Sequence, residues 1–94
     1  MRELVLTPKF KRAFRKFVKR NPQLEIKIIQ TLQLMREDVF VPQLSTHSLQ
    51  GKLLGLKACS CGCDCRILFT LEVAQSNTEE VIILLDLGTH DEVY

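Results

Sequence analysis

The stretch CRILFTLEVAQSNTEEVIILLDL, residues 65–87, decides how this chain folds. In its first half Ile67, Phe69, Leu71 and Val73 alternate with Arg66, Leu68, Thr70 and Glu72. Successive side chains of a strand point to opposite faces, so this period predicts a strand from Cys65 to Ala74 with one wholly apolar face and one mixed face carrying Arg66. Val81 to Leu85 is continuously apolar, which predicts a second strand, running to Leu87, that is covered on both sides. Gln75, Ser76, Asn77 and Thr78 are turn formers and predict the connection between the two. A further β-prone run from Leu53 to Cys59, set off by Gly51, makes three strands in succession, the pattern of an antiparallel meander.

Toward the N-terminus the period changes. Glu3 to Leu6 is short and β-prone, and Thr7-Pro8 then supplies a hydroxyl cap followed by proline at the first helical position. Phe10, Ala13, Phe14, Phe17 and Val18 repeat at helical spacing and predict a core-facing stripe, with Lys9, Arg12, Lys16 and Lys19 on the opposite side. Asn21-Pro22 predicts the end of this helix and the cap of a second, which carries Leu24, Ile28, Leu32 and Met35 on one face. Val39 to Ser48 lacks a period and reads as a connecting loop. The expected fold class is α+β, with an N-terminal strand and a helical hairpin packed on one face of a small, mostly antiparallel sheet.

With 94 residues the chain has room for one domain, residues 1–94, and not for two. Its 46% hydrophobic and 26% charged content excludes disorder and fibrous repeats. No apolar run approaches the roughly 20 residues needed to span a bilayer, and no signal peptide is visible, so a cytoplasmic protein without membrane contact is expected. The net charge of +2 conceals a strong asymmetry. Arg2, Lys9, Lys11, Arg12, Arg15, Lys16, Lys19 and Arg20 stand near the N-terminus against Glu3 alone, whereas from Ala58 onward Arg66 is the single cation. Charge separated in this way predicts a face directed at a polyanion, nucleic acid first; the alternative is an ordinary solvated helix face.

Candidate chemistry is sparse. The two histidines, His47 and His90, fall at element ends, where catalytic groups are often presented, and imidazole suits proton transfer near neutral pH. Asp64 and Arg66 flank Cys65, so both are expected on the face opposite Ile67. There a guanidinium can clamp a phosphate and a carboxylate can orient an imidazole or take a proton; the competing reading is a surface charge pair. Cys59, Cys61, Cys63 and Cys65 alternate strictly, which argues against a tetrahedral zinc site unless the chain turns sharply at Gly62; a cysteine-based metal module is the alternative that such a turn would leave open. Buried or idle thiols are expected, without disulfides, in a reducing compartment.

The order Thr46-His47-Ser48-Leu49-Gln50-Gly51, then Lys52 and Gly55, then Asp64 to Phe69, then Gly88-Thr89-His90 and the residues to Tyr94 resembles the YafQ branch of the RelE superfamily of bacterial type II toxins. The likeness spans nearly the whole chain and is strongest from His47 onward. It implies a metal-independent endoribonuclease that cuts mRNA in the ribosomal decoding site through attack by the substrate's own 2′-OH, with no cofactor. It also implies His47, Asp64, Arg66 and His90 as catalytic groups, His90 foremost in proton transfer. Arg66 lies in a Cys-Arg-Ile-Leu-Phe segment similar to the Tyr-Arg-Val-Ile-Tyr type of the RelE branch. Lys57 would share the phosphate with it, Lys52 would contact substrate, and Tyr94 would stack on a base. Lys9, Arg12, Arg15, Lys16, Lys19 and Arg20 would dock on ribosomal RNA. A cognate antitoxin, acidic in character, would silence the enzyme in a hetero-oligomer by covering the basic helix or extending the sheet.

Two positions depart from the YafQ pattern. Ser60 stands where the family has a further histidine, and Cys65 where it has tryptophan. The proton-transfer pair then reduces to His90 with either His47 or Asp64, and the alternative to the enzyme is a catalytically inactive RelE-fold protein that only binds an antitoxin or a nucleic acid.

Overall fold

Two helices lie on a five-stranded sheet in a computed structural model that describes residues 2–62, 64–73 and 80–94. Strand β1 (Glu3–Leu6) runs parallel to β5 (Glu80–Gly88), and β5, β4 (Cys65–Val73), β3 (Lys57–Gly62) and β2 (His47–Ser48) pair antiparallel in turn. This is the α+β architecture expected. The predicted turn at Gln75 to Thr78, and Ala74 at the predicted strand end, lie outside the described residues.

Helix α1 (Pro8–Arg20) begins as its sequence dictates. The Thr7 hydroxyl accepts the Phe10 N–H at 3.2 Å and donates to the Leu84 carbonyl at 2.8 Å, so one side chain caps the helix and fastens it to β5. Asn21 behaves differently from expectation. Its backbone and side-chain N–H groups both return to the Phe17 carbonyl and close α1, its side chain makes no cap bond downstream, and its carbonyl accepts the Leu24 N–H at 3.0 Å. A 3₁₀ turn at Pro22–Leu24 intervenes, and α2 (Glu25–Glu37) follows. Phe10, Phe17, Ile28 and Met35 meet Cys59, Cys61, Cys65, Ile67, Phe69, Ile82, Leu84 and Leu87 in one core between helices and sheet. Thr31 is buried there too, its hydroxyl donating to the Lys27 carbonyl at 2.8 Å.

Several expectations are corrected by pairing that no local pattern encodes. The 39–48 segment is more than a loop, because Val39 and Leu44 are buried and His47 and Ser48 form the edge strand β2. Leu53 does not begin a strand; Gly51–Leu53 is a 3₁₀ turn, and β3 runs from Lys57 on to Gly62. Nor is β5 covered on both sides: Ile82 and Leu84 are buried, while Val81, Ile83 and Leu85 keep partial exposure. Leu68 pairs with Asp86 but Phe69 pairs with Leu84, so Leu85 is an extra residue, a bulge. The bulge resets the alternation, bringing Leu87 as well as Leu84 into the core and leaving Asp86 to meet Lys9 of α1 at 3.6 Å.

The cysteine expectation is corrected as well. Cys61 and Cys65 form a disulfide across the β3–β4 hairpin, four positions apart in sequence. The chain can turn back so tightly because Gly62 adopts φ 147°, a value open chiefly to glycine. Cys59 remains a buried free thiol; burial pushes it up to about 12, with a smaller opposing effect from the Arg66 charge, so it stays protonated and inert. Cys63 lies outside the described residues. A crosslink closing so short a loop stabilises the fold by about 2 kcal/mol. Urea unfolding of the oxidised protein against the Cys61→Ser/Cys65→Ser variant should show that loss, and a difference under about 0.5 kcal/mol would mean that the bond contributes nothing in solution.

Candidate active site

The β3–β4–β5 register sorts the candidate residues onto two faces. Arg66 pairs with Ser60 on one side and Gly88 on the other, and two residues along, Leu68 pairs with Ala58, which in turn pairs with His47. Directly opposed residues of paired strands share a face, so His47, Ser60 and Arg66 lie together on the side turned away from the helices. Lys57 pairs with Phe69 and Ser48, placing it on the helix side, where its Nζ donates to Ser48 Oγ at 2.9 Å. The register therefore separates Lys57 from Arg66. Lys52 stands in the exposed 3₁₀ turn beyond β2.

Arg66 is half-buried, its Nη1 donating to the carbonyls of Cys65 at 3.0 Å and Gly62 at 3.4 Å, so the guanidinium is anchored to the hairpin that the disulfide closes. Asp64 sits in that hairpin turn, not on the strand. Its Oδ1 accepts the backbone N–H of His90 at 3.2 Å, a bond to the main chain and not to the imidazole. Beyond β5, Thr89 caps a single-turn helix α3 (His90–Val93) with a reciprocal capping box. The Thr89 hydroxyl accepts the Glu92 N–H at 3.3 Å, and Glu92 Oε1 accepts the Thr89 N–H at 2.9 Å. These bonds, with Arg20 Nη2 donating to Glu92 Oε2 at 2.8 Å, hold the Glu92 carboxyl down to about 2. Glu92 thus stays ionised through the ordinary carboxylate range, and the contacts of its anion are lost only as pH falls from about 4.5 toward about 2.

On this platform the His90 imidazole is exposed, with the Tyr94 ring edge-on at 4.5 Å. Burial raises the Tyr94 hydroxyl above its ordinary value while the nearby Arg66 charge opposes the shift, which brings Arg66 and Tyr94 into one electrostatic neighbourhood. His90 Nδ1 lies 3.4 Å from Asp91 Oδ1, and His47 Nδ1 lies 3.0 Å from the Ser45 carbonyl. A carbonyl and a carboxylate oxygen only accept, so both contacts place the ring proton on Nδ1 and leave Nε2 available. Ser45, whose carbonyl fixes His47, adopts the left-handed conformation at φ 51°, costing on the order of 1 kcal/mol. Thus Asp64, Arg66, His90 and Tyr94 come together where β4 meets β5; His47 stands two strands out on the same face; Lys52 and Lys57 do not join them.

The architecture has solved counterparts over the full chain. A copper-bound mutant toxin from Helicobacter pylori superposes at TM-score 0.69 with 26% identity, covering 100% of both chains. The YafQ toxin in the Escherichia coli DinJ–YafQ toxin–antitoxin complex gives TM-score 0.77 at 15% identity, over 99% of this chain and 97% of that one. This chain has the RelE/ParE toxin fold. A YoeB/ParE toxin from Agrobacterium tumefaciens shares that toxin fold at TM-score 0.74 and 14% identity, over 94% of this chain and 98% of its own. No family model and no curated protein sequence matches the chain. Among its described residues no group of His, Cys, Asp and Glu is placed to hold a metal ion, and no helix is long and apolar enough to cross a membrane.

Sequence reasoning did not find the roles of Thr89 and Glu92 in supporting His90. The signal was present, since Thr89 followed three residues later by Glu92 is a capping-box spacing. Lys9 and Arg20, grouped by sequence with the RNA-facing cations, are paired within the molecule to Asp86 and Glu92.

Proposed function

We propose that this protein is the toxin of a toxin–antitoxin pair and an endoribonuclease that cuts mRNA on the ribosome. The observation that carries the reading is the convergence of Arg66, Tyr94 and an exposed His90, braced by Asp64, on a full-length toxin fold. In the reaction a side-chain base removes the 2′-OH proton, and the 2′ oxygen attacks the adjacent phosphorus. The bond from phosphorus to the 5′ oxygen breaks, and that oxygen takes a proton from a side-chain acid, leaving a cyclic phosphate and a 5′-OH. His90 serves as one proton-transfer group. The other is His47 or Asp64: Asp64 stands beside His90 with one oxygen on its backbone N–H, and His47 stands two strands out on the same face. Arg66 stabilises the charge that grows on the phosphate, without Lys57, and Tyr94 offers a ring for stacking on a base.

The helix α1 supplies the positioning surface. Lys11, Arg12, Arg15, Lys16 and Lys19 are exposed and have no ion-pair partner among the described residues, which suits a ribosomal RNA backbone. An acidic antitoxin segment has two features to use. One is the open edge of β1, with Val5 and Leu6 exposed; the other is a neighbouring cavity of about 300 Å³ lined by Leu6, Phe10, Phe14 and Leu32 and rimmed by Lys11 and Arg15.

Primer extension on a reporter mRNA with translating ribosomes, beside a ribosome-free control, tests the whole reading: discrete ribosome-dependent cuts support it, and no cleavage moves the assignment to a binding-only protein of the same fold. The docking part has its own test. A Lys16→Glu/Lys19→Glu variant should bind ribosomes more weakly, with a slope of log affinity on log salt reduced by about two; unchanged binding would sink it.

A further inference from the structure

We propose that Arg20 is a positioning residue for His90, acting through Glu92 to tie the basic helix to the turn that carries the imidazole. The inference rests on the reading above, in which His90 transfers protons. A single helical turn is not stable by itself, because nucleation orders several residues for very few hydrogen bonds. Helix α3 therefore depends on what grips it from outside. Val93 is buried, Asp64 holds the His90 N–H, and Arg20 holds Glu92.

Glu92 is the junction of this arrangement. Its Oε1 closes the capping box on the Thr89 N–H, while its Oε2 takes the Arg20 guanidinium, so fixing one oxygen orients the other. The carboxylate can fold back this far because residue 88 is glycine. A Cβ there would stand 3.0 Å from Glu92 Oε1 and 3.1 Å from Glu92 Cβ, tighter than most Cβ contacts, so the Glu92 side chain would have to shift by a few tenths of an ångström. Between α1 and the end of β5 lies a cavity of about 300 Å³, lined by Ala13, Lys16, Phe17 and Leu87 among others, with Arg20 and Glu92 in its wall. The link from α1 to α3 beside that space is thus a side-chain pair and not packed surface.

The Arg20 and Glu92 side chains are 53% and 38% exposed, so the pair adds little to global stability. What it sets is geometry: it decides where Thr89 and His90 sit relative to Arg66. Arg20 is thereby separated in role from Lys16 and Lys19 on the same helix, which are exposed and form no ion pair among the described residues.

The test compares Arg20→Gln, Arg20→Lys, Glu92→Gln and the Arg20→Gln/Glu92→Gln double variant, each checked for an unchanged unfolding midpoint. Three quantities are read: the Thr89 and His90 amide resonances of the free protein, the single-turnover cleavage rate at saturating protein, and the ribosome affinity. Arg20→Gln should move both amide resonances and lower the saturating rate about tenfold, while affinity stays within about twofold. Arg20→Lys should recover most of the rate, and the double variant should be no slower than Glu92→Gln alone, as expected of partners in one interaction. Loss of affinity with an unchanged saturating rate would make Arg20 an RNA contact and overturn the proposal. So would unmoved Thr89 and His90 amides. Absence of cleavage by the unmodified protein would remove the proposed function, and the amide resonances would still decide whether the tether exists.

Discussion

Replacing His90 by alanine should lower the ribosome-dependent cleavage rate by about 10² to 10⁴, the usual worth of a positioned proton-transfer group, while ribosome affinity and folding stay unchanged. The fold should not suffer because the imidazole is exposed and the bonds that hold its turn are made by main-chain and neighbouring groups. The Asp64 carboxylate grips the residue 90 backbone N–H, which alanine retains, and Thr89 and Glu92 cap each other without the ring. The substitution thus removes an acid or base and leaves its support standing. The measurement is single-turnover primer extension of the two proteins side by side, with circular dichroism to confirm equal folding. A His90→Ala protein that cuts at the wild-type rate would remove His90 from the chemistry, and wild-type toxicity on expression would favour the inactive, binding-only reading.

The largest expected loss of stability is at Phe69. It is fully buried at the middle of β4, where the helix-side core meets the β5 bulge, and it pairs with Lys57 on one side and Leu84 on the other. Truncation to alanine removes most of a large side chain and leaves a cavity that the paired strands on either side cannot collapse to fill, costing about 3 to 5 kcal/mol. Domains of this size have a total stability on the order of 5 to 15 kcal/mol, so the variant should retain at most a small margin at 37 °C. Urea unfolding measures the change directly, and a loss below about 1 kcal/mol would show that the site is less tightly packed than described. Phe69→Leu, which keeps most of the volume, should cost about 1.5 kcal/mol or less and separates a packing effect from general intolerance at the position.

Local signals determined much of this architecture before any contact was known. The alternation of Ile67, Phe69 and Leu71, the helical stripe of Phe10, Phe17 and Val18, and the Thr7-Pro8 cap each specify an element through interactions within a few residues, and each appears where it was expected. The order of the motifs from His47 to Tyr94 also pointed to the toxin fold. What the residues near in sequence do not carry is pairing across the sheet. That His47 belongs to an edge strand, that Leu85 is a bulge bringing Leu87 inward, and that Lys57 faces away from Arg66 all follow from register, which is set by partners distant along the chain. The same holds for charge. Eight cations near the N-terminus read alike as a row of letters, yet Arg2, Lys9 and Arg20 are committed to Glu80, Asp86 and Glu92, more than seventy positions away. Asp64 makes the point most plainly: composition offered it as an acid beside an arginine, and only the meeting of the β3–β4 turn with the end of β5 gave its carboxylate the His90 backbone to hold. Periodicity and capping are short-range physics and are written locally; register, ion pairing and the assembly of the site are long-range, and they exist only once the sheet has closed.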